Sequence, residues 1–165
     1  MATRDYEHEG LTVHWDSGRC IHAAACIRLG DGCFDPQRRP WVDLTATDQA
    51  TVITAVEACP TGALQWSRSD ETEQPEAPTR MTPVRGGPML VRGDVEVVDR
   101  EGRTIAAGPR VALCRCGNSG NQPFCDNSHR TQGFSEPEPR GVAPDPSAPD
   151  EVCPPQDFAL SLIHI

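Results

Sequence analysis

Eight cysteines, at positions 20, 26, 33, 59, 114, 116, 125 and 153, constrain this chain more than any other feature. Apart from Cys153 they form two groups, separated by Ser67 to Arg80 (SRSDETEQPEAPTR), where no apolar side chain other than proline exceeds alanine. Core-forming residues are scarce: 37% of the 165 residues are hydrophobic and 5% aromatic, against 14 glycines and 16 prolines. Modules of under about 70 residues with so little to bury need a staple. Disulfides would serve in an oxidising compartment. Met1 to Gly10 is polar and charged without an apolar stretch, so no secretory signal is expected and metal binding is the preferred use of the thiols.

The formal net charge is −9, and its distribution narrows the partners. Residues 1–68 carry −3, residues 69–80 carry −3, residues 81–134 carry +2 and residues 135–165 carry −5. The net acidity therefore lies mostly in the two segments that look unstructured, and the two modules that look folded sum to only −1. Neither remaining module is basic enough for a nucleic-acid footprint, and no run approaches the roughly 18 apolar residues of a membrane helix. No Gly-rich dinucleotide loop, phosphate loop or Ser-His-Asp arrangement is present, so no enzymatic activity is expected.

Residues 1–68 read as β-α-β-α-β. Leu11 to Trp15 alternates like a strand, Cys20 to Leu29 suits one or two helical turns, and Trp41-Val42 reads as extended. Thr47 or Asp48 caps a helix running to Cys59 with Val52, Val56 and Cys59 on one stripe. Pro60 and Gly62 stop it before a last strand, Ala63 to Trp66. Residues 69–80 read as a linker. Residues 81–134 read as all strand: 88–91 and 95–98 around a turn at Arg92-Gly93-Asp94, then 104–107 and 110–113 after a turn at 100–102. Residues 135–165 read as a disordered tail carrying Cys153 as an exposed spare thiol. Its apolar end, Phe158 to Ile165, resembles translated adaptor read-through and is set aside from the fold, with a short docking motif as the alternative.

The segment Cys114 to His129 reads CRCGNSGNQPFCDNSH, or C-x-C-x2-S-x3-P-x-C-D-x-S-H. Cys114 and Cys116 flank one residue, so both thiolates can face one metal ion. Cys125 and His129 are four apart, a spacing that shares a helix face. Asp126 falls at a helix start, where an acid is favoured. Ser119 and Ser128 are expected to donate to sulfur or to the ligand loop. The pattern resembles the CDGSH iron–sulfur family, and that resemblance implies a 2Fe-2S cluster held by Cys114, Cys116, Cys125 and His129. It reaches upstream to the Gly87-Pro88 turn. Asn127 departs from the family's glycine, and asparagine tolerates the left-handed backbone. A structural zinc ion is the competing occupant of three Cys and one His.

The stretch Cys20 to Cys26 reads CIHAAAC, and Cys59 opens CPTGAL. Together they resemble single-cluster ferredoxins, including the divergent mono-cluster type, over about residues 11–68. Ala23 stands where a full thiolate set has its middle cysteine. With Cys20, Cys26 and Cys59 alone, a 3Fe-4S cluster is the simplest occupant. A 4Fe-4S cluster with His22, water or substrate at the open iron is the alternative. Cys33 is expected as a small buried residue beside Phe34 rather than as the missing ligand. Trp15, Trp41 and Trp66 are expected to supply the core.

The resemblances imply an α+β chain: a small ferredoxin-like module, then a small all-β CDGSH-type module. Two clusters imply a cytoplasmic electron-transfer protein that serves redox partner proteins, with a homodimer the assembly some relatives adopt. A redox- or pH-responsive regulator or cluster donor is the alternative, because a protonated His129 cannot ligate.

Overall fold

The structure, a computed structural model, describes residues 3–135; the expectations for Cys153 and Phe158 to Ile165 lie outside them. Leu11, Val13 and Trp15 alternate inward along β2 (Leu11–Asp16), and this buried face organises the first module. β2 is the middle of an antiparallel sheet, with β1 (Thr3–His8) and β3 (Leu64–Ser67) on its two sides. β1 was not expected: its residues are mostly exposed, so it forms by pairing with β2 rather than by burying a face. After a 3-10 turn at Ser17–Arg19 come α1 (Ala25–Leu29) and α2 (Gln49–Glu57). The order is thus β-β-α-α-β, and the expected central strand reduces to one bridge between Phe34 and Val42.

Asp48 caps α2 as expected, its carboxylate accepting from Thr51 N at 3.0 Å, and Val52, Ala55 and Val56 face inward. They meet β2, Phe34, Leu44 and the three tryptophans in one core. Trp15 and Trp41 lie edge to face with centroids 5.1 Å apart, a favoured aromatic geometry.

The second module is an antiparallel sheet of β4 (Arg80–Pro83), β5 (Met89–Val98) and β6 (Thr104–Leu113), with a short α3 (Ser128–Thr131) beyond it. The turn expected at Arg92-Gly93-Asp94 is instead a bulge inside one continuous strand, the register shifting between Arg92 and Val95. Gly93 signals the bulge because a Cβ there would lie 2.5 Å from the Thr79 Cα. A glycine inside a strand marks such a close approach as readily as it marks a turn.

Residues 69–80, expected as a loose linker, are fastened to both modules. Thr72 bridges Ser67, Glu73 N donates to Trp66 O at 3.2 Å, and the Glu73 carboxylate pairs with the Arg110 guanidinium. Both side chains are only 4% exposed. Arg110 also donates to Val56 O at 3.2 Å and Leu64 O at 3.1 Å. A residue of β6 thus holds α2, β3 and the connecting segment together.

Candidate metal centres

The Cys20–Cys26 loop wraps tightly, with His22 (φ 53°) and Ala24 (φ 58°) both in the left-handed region. Each such non-glycine residue costs roughly 1–2 kcal/mol, so the loop must be held by its surroundings. Cys26 lies in the first turn of α1. Cys59 follows α2, its N–H on Val56 O at 3.0 Å, and Pro60 then prevents the helix from continuing.

The structure brings Cys20, Cys26 and Cys59 to the wall of one cavity of about 60 Å³, lined mainly by apolar side chains including Trp15, Trp41 and Leu64. Burial, reinforced by the charge of Cys59, pushes Cys26 up to about 12. Burial likewise pushes Cys20 up to about 11. Three thiolates cannot share this space without positive charge, so binding a metal group there releases protons. The Thr61 hydroxyl, buried beside them, lies 3.6 Å from the Cys59 sulfur and is placed to donate to it.

His22 lines the same cavity, and its Nδ1 is 3.9 Å from the Cys20 sulfur. Cys33 does not line it. It is fully buried in the core with Phe34 and Val42, matching the expectation of a small packing residue.

The second set gathers where β6 ends. Cys114 and Cys116 have their sulfurs 3.6 Å apart. Cys125 Sγ lies 3.4 Å from His129 Nδ1, so Nδ1 is the nitrogen that faces that sulfur. The two do not share a helix face, because α3 begins only at Ser128. Two other contacts set their approach: Cys125 N donates to Ala112 O at 2.9 Å, and Asn127 at φ 74° turns the chain into the helix. The Asp126 carboxylate closes the loop, accepting from Gly120 N at 2.8 Å and Ser128 N at 2.9 Å. Ser119 Oγ donates to Phe124 O at 2.6 Å, which is the expected support of the ligand loop.

Amides aim at the sulfurs. Asn118 N donates to Cys116 at 3.5 Å and Asn127 N to Cys125 at 3.4 Å. At Cys114 burial alone would raise the thiol pKa, but backbone N–H groups, that of Ser119 foremost, and the Cys116 thiol win and lower it. Burial dominates at Cys125 and raises it. At His129, burial and then Arg130 hold the imidazole below its usual value, which favours the neutral, ligating form. Among the described residues no three His, Cys, Asp or Glu side chains form a single-ion site.

The sequence reading missed what lies between the two sets. Ile21, between Cys20 and His22, is buried not in its own module but with Leu90, Ala112 and Cys125 of the second. Asn121 Nδ2 donates to Gly18 O at 2.7 Å, and Asn127 Nδ2 donates to Ile21 O. Arg19 reaches across to Arg110 O at 2.6 Å. The departure of Asn127 from glycine was one available signal.

Among the described residues no helix is long and apolar enough to cross a membrane. Residues 86–130 match the family described as an iron-binding zinc finger of CDGSH type. Residues 6–69 match the one described as a divergent 4Fe-4S mono-cluster. The chain is 33% identical over 63 residues to the uncharacterized protein YjdI of Escherichia coli (strain K12), covering 38% of this chain and 83% of that protein. The O157:H7 counterpart matches equally. The mono-cluster family description names a 4Fe-4S cluster, not the 3Fe-4S cluster expected from three thiolates.

Proposed function

The chain belongs to the CDGSH iron-binding and divergent 4Fe-4S mono-cluster families and binds iron–sulfur clusters, and we propose that it uses them to carry electrons one at a time between partner proteins. In this reading Cys114, Cys116, Cys125 and His129 hold a 2Fe-2S cluster. Cys20, Cys26 and Cys59 hold three corners of a 4Fe-4S cluster, and His22, at the rim of the same cavity, serves the fourth. The chain itself transforms no substrate; its redox partners do.

The observation that carries this reading is the contrast between the two donor sets. Each would present three thiolates and one imidazole, but their surroundings differ. The first lies in an apolar cavity, whereas the second receives backbone N–H groups on its sulfurs. Hydrogen bonds to the sulfurs and the apolarity of the surroundings both set a cluster's potential. Two sites of unequal potential give an electron a direction.

The test is anaerobic purification, iron and sulfide assay, and EPR before and after dithionite. About six irons per chain are expected. Cys20→Ser with Cys26→Ser should remove the 4Fe-4S signal, and His129→Ala the 2Fe-2S signal. Colourless protein with stoichiometric zinc would refute the reading.

A further inference from the structure

The loop that supplies Cys20 and Cys26 to the first site also forms part of the wall of the second. Its two cysteines line the first cavity, while Ile21 turns the other way and packs on Leu90, Ala112 and Cys125. The geometry there is fixed from both sides. Gly18 O accepts from Asn121, and Ile21 O accepts from Asn127, each donor lying in the loop between Cys116 and His129. The positions of the two donor sets therefore do not depend on the length of residues 69–80.

Asn127 has a particular place in this junction. Its backbone N–H donates to Cys125 Sγ at 3.4 Å. Its side-chain amide donates to the carbonyl of Ile21, the residue bonded to Cys20. One residue thus joins a sulfur of the second site to the residue next to a sulfur of the first, through two hydrogen bonds and a short run of covalent bonds. Its Oδ1 is buried without a partner. Leaving such an atom unpaired costs roughly 1–3 kcal/mol, and an amide free to choose would turn it to water.

We propose that Asn127 is a positioning residue that couples the two cluster sites, so that they exchange electrons within one chain. This rests on the electron-carrier reading above. The exchange oxidises one centre by one electron and reduces the other by one, with no bond made or broken, and the electron first enters from an external one-electron donor. The glycine that the CDGSH pattern places here cannot make the crossing contact, because it has no side chain.

The experiment uses the full chain loaded with both clusters. EPR of the fully reduced protein is compared with the sum of spectra from two single-site chains, Cys20→Ser with Cys26→Ser and Cys114→Ser with Cys116→Ser. Broadening or splitting beyond that sum is expected, because the two paramagnets are adjacent. The second measurement injects less than one electron per chain from a photoreduced flavin and follows its redistribution between the sites. Asn127→Gly and Asn127→Asp, neither of which can donate to Ile21 O, should slow redistribution several-fold. Iron content is measured in the same samples.

Two signals that add without interaction would overturn the proposal and leave the electron-carrier reading standing. Unchanged redistribution in both variants, or loss of iron from the second site in Asn127→Gly, would overturn the role of Asn127. A chain with no reducible cluster would remove both readings.

Discussion

Glu73→Ala should be among the most damaging single changes in the chain, although residue 73 lies in a segment with the composition of a linker. The Arg110 guanidinium would keep its contacts with Val56 O and Leu64 O but lose its only carboxylate partner among its described contacts. The pair is 4% exposed on both sides, so water cannot replace that partner. Removing one member of a buried pair costs about 3–5 kcal/mol, against a total of about 5–15 kcal/mol for a typical fold. For a chain of this size that is roughly 10–20 °C in Tm. The assay is thermal unfolding of the anaerobic, cluster-loaded chain followed by circular dichroism. The double variant Glu73→Leu with Arg110→Met should cost less than Glu73→Ala alone, because an apolar replacement of a buried pair is close to neutral. A loss below about 1 kcal/mol for Glu73→Ala, the range of an exposed pair, would refute the argument and make residues 69–80 a slack connection.

Three further outcomes follow from the same contacts. Cys33→Ala should leave iron and sulfide content unchanged and lower stability by about 1 kcal/mol, since Cys33 packs in the core and not on the cavity; loss of iron would make it a ligand. Gly62→Ala should unfold at markedly lower temperature than Gly102→Ala. Both positions have left-handed backbone, but a Cβ at Gly62 would lie 2.6 Å from Arg110 O whereas at Gly102 nothing lies within 4 Å; equal losses would show that the two modules do not touch there. The Asp48 cap has its carboxyl held below the usual range by the Thr51 hydroxyl and N–H. A depressed carboxyl stabilises the fold above its unfolded value and loses that contribution as pH falls through the folded one. Asp48→Ala should therefore be less stable than the parent at neutral pH, with the difference closing in strong acid by thermal melts; a constant difference would contradict the capping role.

Residues whose role is local were readable from the sequence. Asp48 and the buried stripe of α2, the alternation of Leu11, Val13 and Trp15, and the burial of Cys33 each follow from neighbours within a few positions. The motif at 114–129, which the CDGSH family model matches, was legible for the same reason, although the physical basis of its geometry differs: Cys125 is placed by a bond to β6 and by the turn at Asn127, not by a helix face. β1 stayed hidden because, Tyr6 apart, it offers no apolar side chain to the core. The strands β5 and β6 were each split in two because Gly93 and Gly108-Pro109 carry the composition of turns while serving as strand interior.

What could not be read is how one module completes the other. Leu90 and Ala112 need an apolar partner, and the sheet that carries them is too small to provide one. The partner is Ile21, whose flanking Cys20 and His22 gave its segment a purely metal-binding appearance. Glu73 is hidden in the same way, as one acid among four in a polar stretch, yet it meets the single buried arginine of β6. Contacts of this kind leave no period or spacing, because their two ends are set by separate modules. They can be recognised only as local choices that their own module does not explain: a large apolar residue between ligands, an asparagine where glycine would suffice, an arginine inside a strand. In this chain all three lie where the two modules meet, so stability of the fold and the relative placement of the two candidate sites depend on contacts between the modules.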